Sequence, residues 1–422
     1  MKSNILFIFL LMAVSMVFGQ DITGEWNGTL AVQNTSLRVV FHINKADAGY
    51  AATMDSPDQG AKGLVMSHVT FKDSVLTIEL RIAGMSYTGK LVAANALTGT
   101  FTQAGQSIPL NLTKNLQAVT MTNTTLIEAN ASYVEMPMVL TTKSGQIFGT
   151  LTLPKAFKNG QVALIIAGSG PTDRNGNNPT MTNDAYKKLA HELAENNIAS
   201  LRYDKRGIAQ SAAAVERESD LVFDDYVRDA ISWVDLLKKD SRFTHVTVIG
   251  HSEGSLIGML AAVKADKYVS VAGPGRPASD LLKEQLSAQG AALQQLAFPI
   301  IDSLVQGKTV RVVDPTLASL FRPSVQPYLI SWFKYDPRDE LKKLKVPVLL
   351  VQGTNDIQVT VEDAKQLSAA KPTAQLLLID KMNHILRTSE SDRDANLTTY
   401  NRADLPLSSG LTKAIVAFIL KR

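Results

Sequence analysis

The chain has 422 residues, of which 45% are hydrophobic and 19% charged, a globular composition in a chain too long for one ordinary core. The formal net charge of +4, without any run of Lys and Arg interleaved with aromatic residues, gives no reason to expect a nucleic-acid partner. The lack of cysteine excludes disulfides, thiolate catalysis and Cys-based zinc sites.

The first twenty residues have the pattern of a cleavable signal peptide. Lys2 precedes an apolar run from Ile5 to Phe18, and the small residue Gly19 follows. This run is shorter than the ~20 residues that a membrane-spanning helix needs, and no later stretch is apolar enough to span. We therefore expect residues 1–20 to be removed, and the mature protein to be secreted or periplasmic without an integral membrane segment.

Residues 21–114 form short alternating runs without a helical period, separated by polar and Gly-containing turns. Strands are predicted at Glu25–Val32, Leu37–Asn44, Tyr50–Met54, Leu64–Phe71, Val75–Ile82, Ser86–Val92, Leu97–Thr102 and Ile108–Leu112, with a hairpin joint at residues 70–75. Successive short strands predict a small antiparallel all-β domain, a lipocalin-like meander or barrel. We expect an accessory domain without chemistry of its own; the alternative is a domain that contacts a glycan or a lipid.

Residues 115–131 are rich in Thr, Asn and Ala and are predicted to be a linker. Over residues 132–422 the sequence pattern predicts alternating strands and helices. Strands are predicted at Val134–Thr141, Gln146–Leu153, Val162–Ala167, Ile198–Tyr203, Thr244–Ile249, Tyr268–Ala272, Val346–Val351 and Ala374–Ile379. Helices are predicted at Asn183–Asn197, Leu221–Lys239, Ser255–Lys264, Val361–Ala370 and Gly410–Lys421. Continuously apolar strands separated by helices predict an α/β fold, with a mostly parallel, doubly wound sheet. The alternation stops at residues 274–339, which we interpret as a helical cap insertion.

The most informative motif is Gly250-His251-Ser252-Glu253-Gly254, which follows an apolar strand and precedes a helix. This is the G-x-S-x-G pattern in the setting that a nucleophile elbow requires. A nucleophile on a sharp strand-to-helix turn needs neighbours without Cβ, and the helix N-terminus favours a developing negative charge. Ser252 is the predicted nucleophile, and Gly250 and Gly254 are the elbow glycines.

A hydroxyl nucleophile needs a base and a carboxylate to orient that base. Of the six histidines, His384 alone follows the last predicted strand, where this type of fold carries its base. Asp356 follows the strand Val346–Val351 and gives the chain order Ser, Asp, His. Asp380 is the rival acid, but it lies very close to His384 in sequence. We predict a Ser252–Asp356–His384 triad.

An oxyanion hole needs two N–H donors. One is expected from Glu253, the residue after the nucleophile, and the other from the loop that follows the strand Val162–Ala167. That loop contains Gly168-Ser169-Gly170, whose glycines let the backbone approach a substrate, and Ser169 is the expected donor.

Three motifs together resemble the bacterial α/β-hydrolases of the serine-aminopeptidase-like, S33 type, some of which are esterases. They are the segments 167–176 and 201–207 and the elbow 250–254, and the resemblance covers residues 132–422. It implies the α/β-hydrolase fold and the triad above. It also implies that Asp173, Arg174, Asp204 and Arg206 are structural residues that brace the oxyanion loop.

The favoured function is that of a serine carboxylesterase whose substrates are small-molecule esters with short acyl chains. We expect this reaction to need no metal and no cofactor. The first alternative is an exopeptidase with the same triad, for which Glu253, Asp280 and Glu284 are candidates to bind a free α-ammonium. The second, of another class, is a glycan- or lipid-binding surface protein with an accessory hydrolase. Trp332, Phe333 and Tyr335 in the cap are pocket candidates, although packing within the cap is the simpler explanation for them.

Overall fold

The computed structural model describes residues 22–32, 35–46, 49–56, 61–80, 84–93, 95–103, 106–114, 132–178 and 180–421. The signal peptide predicted at residues 1–20 and the linker predicted at 115–131 lie outside these described residues. The chain divides into two compact units, with the boundary between residues 122 and 123. None of the described helices is both long enough and apolar enough to cross a membrane.

The first unit is an antiparallel sheet in which the first and last strands pair with each other. Its strands are β1 Gly24–Val32, β2 Thr35–Ala46, β3 Gly49–Ser56, β4 Ala61–Val65, β5 His68–Lys72, β6 Val75–Leu80, β7 Met85–Ala93, β8 Ala96–Gln103 and β9 Gln106–Lys114. The order is β4-β3-β2-β1-β9-β8-β7-β6-β5, so the two outer strands are consecutive in the chain. The predicted antiparallel meander is therefore confirmed.

One strand prediction in this unit was wrong. The run Leu64–Phe71 is two strands, because the ladder stops at Met66 and Ser67 and the chain crosses there from one outer strand to the other. The predicted hairpin joint between β5 and β6 is present, and its central residues Asp73 and Ser74 have φ values of +52° and +64°. Two consecutive left-handed residues are the mark of a tight hairpin turn whose twist matches the strands it joins.

The core of the first unit follows from the period of two along its strands, which places alternate side chains on one face. In β7, for example, Met85 and Tyr87 are buried, whereas the side chain of Thr88 is exposed. The indole of Trp26 is fully buried and donates a hydrogen bond to the carbonyl of Ile22, 2.8 Å away. The inward face is filled by large apolar side chains, which include Trp26, Leu30, Phe41, Ile43, Ile78, Tyr87, Phe101 and Leu112.

The second unit contains a mixed sheet of eight strands. They are β10 Tyr133–Thr142, β11 Gly145–Pro154, β12 Gly160–Ile166, β13 Ala199–Tyr203, β14 Phe243–His251, β15 Lys267–Val271, β16 Val348–Gly353 and β17 Gln375–Ile379. The order is β10-β11-β13-β12-β14-β15-β16-β17, antiparallel between β10, β11 and β13 and parallel across the rest. Residues 348–353 of β16 are all buried, as expected for a strand covered on both faces.

Eleven α-helices are described in this unit. They are α1 Ala185–Glu195, α2 Phe223–Lys239, α3 Glu253–Ala261, α4 Ala278–Ser287, α5 Ala291–Val305, α6 Ala318–Phe321, α7 Gln326–Trp332, α8 Pro337–Lys343, α9 Val361–Ala370, α10 Arg393–Thr398 and α11 Leu411–Leu420. Helices α2 and α3 pack on one face, and α1 and α11 pack on the other. The predicted α/β-hydrolase architecture is confirmed.

The segment between β15 and β16 is helical, as predicted for the cap. Helices α4 to α7 enclose a hydrophobic cluster of their own, centred on Ile301, Leu317 and Phe321. Because this insertion follows β15 directly, it leaves the sheet at the edge where the carboxyl ends of the parallel strands meet. In open α/β sheets that edge is where ligands bind.

Candidate active site

Ser252 lies on the turn between β14 and α3, with φ of +54° and ψ of −122°. A residue with a side chain adopts this conformation only when its surroundings force it. A Cβ atom at Gly254 would lie 2.5 Å from the carbonyl oxygen of Ala167 and would overlap that of Ile166, and one at Gly250 would overlap the carbonyl group of Gly254. Only glycine therefore fits on either side of this turn, which brings Ser252 against the end of β12.

His384 follows β17 and Asp356 follows β16, and the Nδ1 atom of His384 lies 2.9 Å from Oδ2 of Asp356. The other carboxylate oxygen accepts hydrogen bonds from the backbone amides of Gln358 and Val359 at 2.8 and 2.9 Å. Burial raises the pKa of Asp356, but the charge and hydrogen bond of His384 and the two amides outweigh it, so that the pKa lies below its ordinary value. The rival Asp380 is exposed and accepts a hydrogen bond from Thr354 instead.

Ser252 and His384 line the same cavity, which has a volume of about 330 Å³ and which we call the histidine-side cavity. Its wall also contains Gly168, Thr172 and Tyr400. The three residues predicted as a triad are thus brought together: Asp356 bonds the imidazole of His384, and Ser252 and His384 line one cavity. With Nδ1 engaged by the carboxylate, Nε2 is the nitrogen left to face the nucleophile.

The oxyanion loop, residues 167–172, passes directly over the nucleophile. A Cβ atom at Gly168 would lie 3.1 Å from the Cβ of Ser252. Ser169 is exposed in this loop, and Glu253 is the first residue of α3. Within the part of the chain that the structure describes, neither the Ser169 amide nor the Glu253 amide donates to another protein group. These two N–H groups are therefore available next to Ser252, and their role as an oxyanion hole stays a prediction.

Of the four charged residues expected to brace this loop, three fix the segment that directly follows it, residues 173–177. Arg174 forms an ion pair of 2.6 Å with Asp204, whose other oxygen accepts the Arg174 amide, and Asp173 accepts two backbone amides from residues 175 and 177. Arg206 was wrongly assigned to this group. Its guanidinium forms a buried ion pair of 2.6 Å with Asp229 on α2, so it ties the turn after β13 to that helix.

Comparisons with known proteins agree with this geometry. Residues 180–317 match the family model described as serine aminopeptidase, S33. Esterase EstD of Thermotoga maritima is 29% identical over 249 residues, which are 57% of this chain and 58% of that protein. The chain has the α/β-hydrolase fold. The predicted kinship with the serine-aminopeptidase-like type is confirmed by the family model and by this relative.

Other matches to the chain are more distant. Mouse monoglyceride lipase is 24% identical over 199 residues, 47% of this chain and 60% of that protein. The chain therefore matches less than two thirds of the length of each of these two curated relatives. A solved structure of Est1E from Butyrivibrio proteoclasticus with ferulic acid bound is 20% identical, covers 67% of this chain and 98% of its own, and has a TM-score of 0.46.

A second histidine, His251, lies beside Ser252, and no role was predicted for it. The ring of His251 is buried between the hydroxyl of Tyr186, 2.8 Å from Nδ1, and the carbonyl oxygen of His384, 2.8 Å from Nε2. Burial is the main reason that the pKa of His251 falls to about 3, so the ring is neutral at physiological pH. In the sequence, the only local indication of these contacts is that the residue between Gly250 and Ser252 is a histidine.

A buried lysine behind the elbow was also missed. The Nζ atom of Lys205 lies 2.6 Å from a carboxylate oxygen of Glu253 and 2.6 Å from the carbonyl oxygen of Gly168. The side chains of Lys205 and Glu253 are only 1% and 2% exposed, and Tyr328 donates a hydrogen bond to the second carboxylate oxygen. The ammonium also lies 4.8 Å from the centre of the Tyr226 ring.

A second, larger cavity of about 650 Å³, the cap cavity, is lined by Ser252 and by residues of the cap. Its wall is mainly apolar and aromatic, with Leu281, Leu282, Phe321, Val325, Tyr328, Leu329 and Trp332 among the lining residues. Of the three aromatic residues predicted to line a pocket, Trp332 does so. Phe333 and Tyr335 do not line either cavity: Phe333 is buried in the cap core, and Tyr335 packs on Phe223 and donates to Asp224.

Among the described residues, His, Asp and Glu side chains form no group of three or more that could hold a metal ion. The acid–base pair predicted at the site consists of the imidazole of His384 and the carboxylate of Asp356. The chemistry that this arrangement can perform is proton transfer from a hydroxyl, nucleophilic attack and stabilisation of an oxyanion.

Proposed function

We propose that the chain is a carboxylic ester hydrolase that works through an acyl-enzyme on Ser252. His384 takes the proton of the Ser252 hydroxyl through Nε2, and the oxygen attacks the ester carbonyl carbon. The amides of Ser169 and Glu253 stabilise the resulting oxyanion. Collapse breaks the ester C–O bond, and His384 returns the proton to the leaving alcohol. Water, deprotonated by the same imidazole, then releases the acid.

The observation that carries this proposal is the contact between the base and its carboxylate. Nδ1 of His384 lies 2.9 Å from Oδ2 of a buried Asp356, and the imidazole shares a cavity with a serine on a strained turn. A carboxylate in this position fixes the tautomer of the imidazole and stabilises the imidazolium that forms during attack. The curated match named esterase supports the same reaction, although it covers only 58% of that relative.

The two cavities suggest which half of the ester goes where. The general acid must reach the leaving oxygen, and of the two cavities only the histidine-side cavity is lined by His384. The alcohol therefore belongs in this smaller cavity, whose wall includes the polar side chains of Thr172 and Asn183. The acyl group belongs in the cap cavity of about 650 Å³, which has room for chains longer than the short acyl groups expected from the sequence.

The direct test is labelling with a fluorophosphonate, followed by turnover of p-nitrophenyl acetate and butyrate. We expect labelling on Ser252 and a burst of p-nitrophenol, both abolished in Ser252→Ala. A wild-type protein that is neither labelled nor active would end the proposal. For the orientation, ethyl octanoate and octyl acetate are isomers with the long chain on opposite sides of the ester. Faster turnover of ethyl octanoate is expected, and a preference for octyl acetate would reverse the assignment.

An exopeptidase of the same mechanism is the second candidate, because the family model that matches residues 180–317 is named for a serine aminopeptidase. Such an enzyme needs a free carboxylate for the α-ammonium of its substrate. Glu253 is occupied by Lys205 and Tyr328, and Glu284 is paired with Arg276. Asp280 is exposed. These pairings favour the esterase; turnover of aminoacyl-arylamides above that of the p-nitrophenyl esters would favour the exopeptidase.

A further inference from the structure

Both peptide groups of Gly168, the residue next to the proposed oxyanion donor, are held by side chains. Its N–H donates to the hydroxyl of Tyr186 at 3.1 Å, and its carbonyl accepts from the ammonium of Lys205 at 2.6 Å. That carbonyl and the N–H of Ser169 belong to one planar peptide unit, so they point in opposite directions. Fixing the carbonyl on Lys205 therefore fixes the direction in which the Ser169 N–H points.

The first of these two contacts leads to the residue before the nucleophile. Nε2 of His251 faces the carbonyl of His384, which can only accept, so Nε2 carries the proton. In the neutral ring Nδ1 is then an acceptor, and the Tyr186 hydroxyl donates to it at 2.8 Å while receiving the Gly168 N–H. The hydrogen bonds run without interruption from Gly168 through Tyr186 and His251 to the backbone of the base, His384.

The second contact leads to the residue after the nucleophile. Lys205 bridges the Gly168 carbonyl and the carboxylate of Glu253, with both side chains almost completely buried. A cation on a carbonyl oxygen withdraws electron density from the peptide unit, which makes the N–H on its other side a stronger donor. Lys205 thus acts on the direction and on the strength of the Ser169 donor, and it does so from a position fixed by the elbow.

We propose that the two residues flanking the nucleophile position the oxyanion loop, His251 through Tyr186 and Glu253 through Lys205. This inference rests on the proposed function of Ser252 and Ser169. The four side chains are positioning residues. Tyr186 and Lys205 bond Gly168 directly, His251 bonds the backbone of the base, and Glu253 holds Lys205. The consequence is that the hydroxyl, the Ser169 donor and the imidazole keep one relative geometry, which is what stabilisation of an oxyanion by pre-oriented donors requires.

The first test is Tyr186→Phe, which removes one hydroxyl and keeps the ring. Its matched control is Tyr268→Phe: Tyr268 is 0% exposed, and its hydroxyl donates to the Ser255 carbonyl at 2.7 Å, outside the oxyanion loop. We expect Tyr186→Phe to lower kcat for p-nitrophenyl butyrate by about 10- to 100-fold with KM unchanged within about twofold. Its affinity for a trifluoromethyl ketone, which forms a tetrahedral oxyanion on Ser252, should fall by a similar factor. Tyr268→Phe should keep both values.

The second test addresses the other arm with the double variant Lys205→Met/Glu253→Gln, which removes both charges together. It should also lose kcat and ketone affinity while KM stays nearly constant. If Tyr186→Phe and the double variant both lose only stability, as Tyr268→Phe does, the residues are merely structural and the inference is overturned. An active wild-type enzyme with unaffected variants would refute the positioning role alone, whereas a wild type that no fluorophosphonate labels would remove the proposed function and this role with it.

Discussion

The buried pair of Lys205 and Glu253 allows a quantitative prediction about stability. In Lys205→Met the ammonium is lost, so the Gly168 carbonyl has no cation and the Glu253 carboxylate keeps only the hydrogen bond from Tyr328. Removing one partner of a buried ion pair costs about 3–5 kcal/mol, because an uncompensated charge stays in a low-dielectric environment. Against a total of about 5–15 kcal/mol for an ordinary domain, this is a large share of the free energy of unfolding.

The double variant separates the attraction between the two groups from the cost of leaving one of them alone. Glu253→Gln leaves the ammonium on the Gly168 carbonyl, and Lys205→Met/Glu253→Gln leaves no buried charge at all. We therefore expect the double variant to be destabilised by less than the sum of the two single variants, by at least about 2 kcal/mol. This difference is the coupling energy of the pair.

Urea unfolding at neutral pH, followed by the helical circular dichroism signal, measures these values. All the α-helices that the structure describes lie in the second unit, so this signal measures the unfolding of that unit. Additive losses in the double variant would refute the reasoning, since they would mean that the two charges do not interact in the folded state. A cost below about 1 kcal/mol for Lys205→Met would refute it as well, because that is the range of a solvent-exposed pair.

Three further predictions concern the carboxylate of the site and the cap. Asp356→Asn should lower kcat by about 10⁴-fold with little change in KM, measured with p-nitrophenyl butyrate; a loss below tenfold would contradict its role. The pKa of Asp356 lies below its ordinary value of 3.8, because His384 and the backbone amides outweigh burial. Ionised Asp356 therefore contributes to the free energy of unfolding above about pH 4, and this contribution is lost as the pH falls through the pKa of the folded state. The stability of the wild type relative to Asp356→Asn should thus decrease in acid, and a constant difference from pH 7 to pH 3 in urea titrations would oppose this. Phe321→Ala should lower the free energy of unfolding by about 3–5 kcal/mol, because Phe321 is fully buried in the cap core. It should also raise KM for long acyl esters, because Phe321 lines the cap cavity. An unchanged free energy of unfolding would contradict the packing argument.

Features that depend on short-range pattern could be predicted from the sequence. Helix α9 occupies Val361–Ala370, the residues predicted for it, because a Thr360 cap and Asp363 mark its start. The elbow was predictable for a similar reason: two glycines around Ser252, between an apolar strand and a helix, describe a local geometry. The wrong strand at Leu64–Phe71 shows the limit, because β-propensity continues through residues 66 and 67 while the pairing partner changes there.

Contacts between distant segments were not predictable in this way. His251 meets Tyr186 across 65 positions and the carbonyl of His384 across 133 positions, and no periodicity carries that information. The aromatic residues of the cap illustrate the same point. Trp332 and Phe333 are neighbours in sequence, but the helix sends one side chain toward the cavity and the other into the cap core, and only packing decides which.

The run from Arg202 to Arg206 is densely charged, and its four charged residues, Arg202, Asp204, Lys205 and Arg206, are all less than 10% exposed. Burying a charge is costly unless a partner compensates it, so each of the four needs its own partner. Those partners come from four different segments: Glu135 on β10, Arg174 after the oxyanion loop, Glu253 at the elbow and Asp229 on α2. One short stretch therefore joins β10, the segment after the oxyanion loop, the nucleophile elbow and a covering helix through buried ion pairs. For this reason a substitution in the run is expected to change the free energy of unfolding and the geometry of the site together, whereas a substitution of the exposed pair Arg217–Asp220 should change neither.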